Sequence, residues 1–215
     1  MKNETMSKQI LKTVLSGAIC LTCGLSGAET WSGWLGPQRD GWVADFQPPN
    51  PWPKQLRKEW QIEVGTGYGT PLVAGQRVYQ HARQGEDEVL LCLDLQTGET
   101  LWKQKYAVPF KVGGGGEYHG KGPKSSPVMA DGRIFTMSIT GVITAWEAEN
   151  GERLWRRDYA SQFKDFERPY PYWGHSTSPV VAGDCVIVHV GPDKKGFLVA
   201  LSAKTGEEIW RQGKD

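Results

Sequence analysis

Three segments of this 215-residue chain repeat one another at a nearly fixed interval: 93–102, 146–155 and 201–210. Each carries a glycine followed four residues later by a tryptophan, giving Gly98 and Trp102, Gly151 and Trp155, Gly206 and Trp210. Successive copies are 53 and 55 residues apart, for the glycines and the tryptophans alike. A period of this length marks a stacked array in which each unit buries its face on the next. Residues that keep the period are therefore read first as structural.

A second landmark keeps the same spacing. Thr70-Pro71, Ser126-Pro127 and Ser178-Pro179 each precede a turn at 74–75, 131–132 or 183–184. Short runs rich in β-branched and aromatic residues follow at 77–81, 133–137 and 185–189, and again at 88–93, 141–146 and 196–201. With a further strand around each repeat tryptophan, every unit reads as four antiparallel strands. The expected fold is all-β: a partial β-propeller of four-stranded blades. Gly98, Gly151 and Gly206 follow Thr or Asn and suit a tight turn with positive φ. The residue six before each glycine is small (Cys92, Ala145, Ala200), which predicts a crowded inward slot. Trp102, Trp155 and Trp210 are expected to cover the neighbouring blade with a large aromatic face.

The small residue, the Thr/Asn-Gly turn and the tryptophan four residues on resemble the tryptophan-docking repeat of pyrroloquinoline-quinone (PQQ)-type propellers, over about residues 60–211. Residues 31–41, which begin Trp31-Ser32-Gly33-Trp34, are similar to the leading segment of secreted bacterial PQQ-like repeat proteins. That quinoprotein-like superfamily includes dehydrogenases, the outer-membrane assembly propeller BamB and members with no assigned activity. Its dehydrogenases hold PQQ with a sandwiching Trp, a vicinal Cys pair and a Glu/Asn/Asp set around Ca²⁺. Here there is no Cys-Cys dipeptide, and no such set falls on matching positions. The resemblance thus implies the scaffold without the dehydrogenase active site, and no cofactor is expected.

The chain opens with Lys2, Lys8 and Lys12, an apolar stretch over 14–25, and Ser26-Gly27-Ala28. These are the three parts of a secretory signal peptide, so residues 1–28 are expected to be a leader and the protein periplasmic or secreted. No integral membrane segment is expected after cleavage. Without the leader the chain keeps 22 basic and 23 acidic residues, a net charge of −1. Such a balance gives no electrostatic pull towards nucleic acid. Cys92 and Cys185 remain, on non-equivalent strand positions of different blades, and are expected to be free.

The long inter-blade stretches 108–124 and 161–175 are where this architecture would carry binding chemistry. Both lie upstream of a Ser-Pro strand start and so share one rim. They gather Tyr118, His119, Lys121, Lys124, Tyr170, Tyr172, Trp173 and His175. Aromatic and basic groups at a propeller mouth suit an anionic or planar ligand, or a peptide segment; loop packing would use the same residues. The glycine-rich run 115–122 resembles a phosphate loop but lacks the final Ser/Thr and a strand-to-helix setting. His81, His119, His175 and His189 show no metal-ligand spacing, so no metal site is expected. No nucleophile elbow or paired catalytic carboxylates can be located, and the sequence does not show an enzyme.

Residues 29–57 form a Trp/Pro-rich arm and 58–215 the propeller repeats, led by one additional strand at 58–64. Three blades fall short of the roughly 4–8 that close a ring, so the chain is expected to be a fragment completed by further blades or by another chain. The expected function is an exported, non-catalytic scaffold that binds a protein or peptide segment. The alternative is the N-terminal part of a PQQ-dependent oxidoreductase whose cofactor site lies in other blades.

Overall fold

A computed structural model describes residues 30–43, 46–163, 170–192 and 194–213; the expected leader, 1–28, lies outside them. Among the described residues, twelve strands form three four-stranded antiparallel sheets, each in sequence order. The first sheet is β1 (Leu72–Ala74), β2 (Arg77–Gln84), β3 (Asp87–Asp94) and β4 (Thr100–Ala107). The second is β5 (Val128–Ala130), β6 (Arg133–Met137), β7 (Ile143–Glu147) and β8 (Arg153–Arg157). The third is β9 (Val180–Ala182), β10 (Cys185–Val190), β11 (Phe197–Ser202) and β12 (Glu208–Gln212). Each expected strand run within the three blades falls on a strand, whereas the additional strand expected at 58–64 is not formed; the described helix is limited to single 3₁₀ turns at Glu117–His119 and Ala160–Phe163.

The blades pack face to face because strand side chains alternate. In β3, Leu90 and Cys92 join Ile134 and Trp146 of the second blade, while Val89, Leu91 and Leu93 face the opposite way. Both faces of this strand are covered, which is why it reads as a continuous apolar run. A larger core joins the second and third blades through Phe135, Ile143, Trp155, Val186, Val199 and Leu201. Beyond the third blade nothing covers the sheet among the described residues, and Leu198, Ile209 and Trp210 are 44%, 54% and 42% exposed.

The periodic residues explain the packing. Cys92 pairs across the ladder with Trp102, Ala145 with Trp155 and Ala200 with Trp210. All three small residues are fully buried, and each adjoins a register shift in its strand pair. Trp102 and Trp155 then each reach forward to the glycine turn of the following blade, whereas Trp210, expected to do the same, covers no blade among the described residues. A Cβ on Gly151 would lie 2.7 Å from Trp102, and one on Gly206 2.6 Å from Trp155. With φ of 75° and 69°, both turns require glycine on two counts. Trp60 plays the same part for Gly98, at 2.7 Å, and donates from its indole N–H to the Leu95 carbonyl at 2.9 Å. The segment 58–64 therefore caps the first blade; Trp60, Ile62 and Val64 are partly buried on its face, but no ladder is formed.

The Ser/Thr-Pro landmark has its own role. The Thr70 N–H donates to Ser126 Oγ at 2.9 Å, and the Ser126 N–H to Ser178 Oγ at 3.0 Å. Each hydroxyl thus satisfies the backbone of the blade before it, directly ahead of β1, β5 and β9. These first strands converge on the axis, while the outer strands β4 and β12 are largely solvated. The N-terminal arm crosses the converging edges. Trp31 bridges to Val73, the Ser32 carbonyl accepts from Met129 N–H at 2.7 Å, and Arg39 donates to the Val181 carbonyl at 3.0 Å.

Candidate binding mouth and axial cavity

The loop 108–124 is anchored before it is exposed. Val108, Phe110 and Val112 bury against Ile139, and Phe110 packs on Tyr170 at a ring separation of 5.1 Å. The almost fully buried Arg83 guanidinium donates to the carbonyls of Gly85, Val108 and Lys121 at 2.9, 3.0 and 3.4 Å. Those bonds fix both ends of the loop. Its tip locks to the next loop, with Gly113 N–H donating to the Tyr172 carbonyl at 3.1 Å. A Cβ on Gly116 would meet Trp173 at 2.6 Å. The glycine-rich run therefore serves loop-to-loop packing around a single 3₁₀ turn, not a strand-to-helix phosphate cradle.

The structure brings most of the expected rim residues together. Tyr118 stands 81% exposed on the 3₁₀ turn, its ring 4.0 Å from His119, which lies 6.0 Å from Trp173. Tyr172 and Trp173 are about half exposed. Lys124 sits between these aromatics and the axis. Its ammonium is half-buried, and burial holds its pKa below the usual lysine range. No hydrogen bond or ion pair joins that ammonium to another described residue. Lys121 is set apart, ion-paired with Glu86 at 3.4 Å. His175 lies beneath the rim, 3% exposed. Its Nε2 accepts the Gly191 N–H at 3.1 Å, its Nδ1 faces the Ile139 carbonyl at 3.4 Å, and its ring fills the space a Cβ on Gly141 would need. That geometry is a neutral imidazole bracing the second and third blades.

Below the rim an axial cavity of about 720 Å³ opens between the first strands and the arm. Arg39, Tyr68, Lys124, Ser126, Ser176 and Ser178 contribute to its polar lining, with no carboxylate among the described residues.

Sequence reasoning missed one buried polar cluster. His81 was expected at a strand end; β2 instead runs on to Gln84, and His81 is central and fully buried. Tyr106 donates to Glu88 Oε2 at 2.9 Å, His81 Nε2 lies 3.1 Å from Tyr106 Oη, and Glu88 Oε1 accepts the Ile139 N–H at 2.9 Å. Burial first, then the Glu88 charge, raises the Tyr106 pKa well above the ordinary phenol value. With His81 and Glu88 wholly enclosed, the cluster braces the first two blades and offers no substrate access. A glutamate heading the apolar run 89–93 was the available signal. Among the described residues, no three His, Cys, Asp or Glu side chains gather as a metal site, and no helix is long and apolar enough to cross a membrane. Cys92 and Cys185 are free thiols.

Serially docked four-stranded sheets around an axis define a β-propeller of the PQQ-like type. The family model described as outer membrane protein assembly factor BamB matches residues 86–215, and the chain belongs to that PQQ-like, BamB-like propeller family. The chain is 27% identical to the quinohemoprotein alcohol dehydrogenase ADH-IIG of Pseudomonas putida, covering 73% of this chain and 21% of that protein. It is 23% identical to the outer membrane protein assembly factor BamB of Bordetella pertussis, covering 90% of this chain and 54% of that one. A europium-containing methanol dehydrogenase superposes with a TM-score of 0.52 at 24% identity, over 74% of this chain and 28% of that one, and shares the fold. The chain thus spans from about a fifth to about half of these curated relatives.

Proposed function

We propose that this protein is an exported, non-catalytic propeller that binds a polypeptide segment at the mouth formed by Tyr118, His119, Lys124, Tyr172 and Trp173. The observation that carries the reading is the mouth itself: exposed aromatic faces and an unpaired ammonium on loops that are rigidly stapled from below. Aromatic side chains at little entropic cost, beside one unsatisfied charge, are what a binding hot spot requires. The match to a family described as an assembly factor supports the same direction. In this reading residues 1–28 direct export, and N-terminal sequencing of the mature protein would find Glu29 first. Photo-cross-linking from position 118 in exporting cells is expected to capture one polypeptide, with capture lost in Trp173→Ala. Cells that capture nothing, while the purified protein turns over a substrate, would overturn the proposal.

The similarity to the alcohol dehydrogenase favours a second reading, in which PQQ and Ca²⁺ bind in the complete protein. This reading places the cofactor site in other blades; among the described residues the axial cavity here offers hydroxyls, Arg39 and Lys124 but no carboxylate to hold Ca²⁺. Reconstitution with both, read as quinone absorbance and dye reduction, tests this alternative.

A further inference from the structure

The geometry points to a carboxylate-binding site in the axial cavity, with Lys124 and Arg39 as counter-charges and the Ser126 and Ser178 hydroxyls as donors. The inference rests on the binding reading above and names the chemistry that this mouth selects.

Four observations converge on it. First, the cavity is of ligand size, about 720 Å³, and is continuous in its lining with a second of about 510 Å³ beneath Tyr172 and Trp173; Lys124 and Ser176 line both. Second, its two cations carry no carboxylate partner among the described residues. Lys124 has no polar partner among the described residues, and Arg39 spends one N–H on the neutral Val181 carbonyl. A half-buried ammonium without an anion is an unfavourable arrangement that an incoming carboxylate relieves. Third, Ser126 Oγ and Ser178 Oγ each already accept a backbone N–H, so each keeps its own proton to donate. The wall is therefore rich in donors, and its complement is an acceptor-only group. Fourth, among the described residues no Asp or Glu lines this cavity or the two that adjoin it at Lys124, so none of them repels an anion there.

The aromatic approach sets a further requirement. Tyr68, His119 and Trp173 surround Lys124 on the mouth side, so the carboxylate arrives on a ligand that tolerates ring faces. Two sources carry such a group: a free organic acid, and an acidic side chain of a bound polypeptide.

Titration calorimetry on the full chain separates them, using citrate, a hexapeptide of alternating Asp and Tyr, and inorganic phosphate. Citrate is expected to bind, more weakly as salt is added, with affinity reduced about tenfold or more in Lys124→Gln and retained in Lys124→Arg. Arg39→Gln should also weaken it. The peptide binding more tightly than citrate assigns the carboxylate to a protein segment; the reverse order assigns it to a free acid. Circular dichroism verifies that each variant is folded. Absence of citrate and peptide binding to the folded protein, equal binding by Lys124→Gln, or phosphate binding as tightly as citrate would each overturn the assignment. Citrate binding without any cross-linked polypeptide would leave the carboxylate site standing and remove the scaffold reading.

Discussion

The joint between neighbouring blades comes down to one glycine meeting one indole, and that contact can be measured. Gly151→Ala places a methyl against Trp102 at a φ of 75°, whereas Gly183, at φ 54°, has open space around it. Gly183→Ala is expected to cost about 1 kcal/mol of backbone strain and Gly151→Ala about 3 kcal/mol or more, read from urea midpoints. A second comparison sits on the same joint. Trp155 donates from its indole N–H to the Ala203 carbonyl at 3.1 Å, while Trp102 has no partner for its buried N–H. The equivalent carbonyl, Ala148, is already taken by Tyr79 Oη at 3.2 Å and Arg77 at 3.3 Å. The second blade has Phe135 at the Tyr79 position, and its hydroxyl is not there to compete. Tyr79→Phe should therefore change stability by under about 0.5 kcal/mol, far less than an ordinary buried tyrosine hydroxyl, because Trp102 inherits the acceptor. Tyr159 gives the pH dependence. Burial, then the Glu208 charge beside it, pushes its pKa from 10.0 up to about 12. The native state keeps a proton that the unfolded chain releases. The associated stability is thus complete below pH 10 and lost as pH rises towards about 12. Phenolate absorbance should show this late step, and Tyr159→Phe should remove it.

At the scale of the blade, the strands were legible in the sequence because turn glycines, β-branched runs and a fixed period agree with one another. The pairing of Cys92, Ala145 and Ala200 with the tryptophans was half legible: the small residues marked a crowded slot, but not what crowds it. The Ser-Pro landmark gave the strand start and concealed its hydrogen-bond role, because a side chain that caps the neighbouring blade leaves no trace in local pattern. The mouth was legible as a cluster of residue types on two long loops. His175 was not separable from its exposed neighbours by sequence, since burial there is decided by Gly141 and Gly191 from other elements. Lys121 was lost to Glu86 for the same reason. The docking elements themselves predict an asymmetry. Trp155, 9% exposed between two blades, should cost about 3–5 kcal/mol when replaced by alanine, and Trp210, 42% exposed, about 1 kcal/mol in this 215-residue chain. Chemical denaturation of the two variants measures the difference.

For the molecule as a whole, stability is graded along the array. The first blade is covered on both faces, by the 58–64 segment and by the second blade, while the third is covered on one. Amide exchange is expected to be slowest in β2 and β3 and fastest in β12, with β10 and β11 between. Uniform protection through all three sheets would show that the blades unfold as one. The forward reach shared by Trp60, Trp102 and Trp155 has a further consequence. Sockets built alike would accept a knob from any blade, so a chain still collapsing could join non-neighbours at no loss. Secondary contacts unlike one another guard against this: Glu88 with the Ile139 amide fits only the first junction, and His175 with the Gly191 amide only the second. Each junction is thereby keyed by the few side chains that break the repeat.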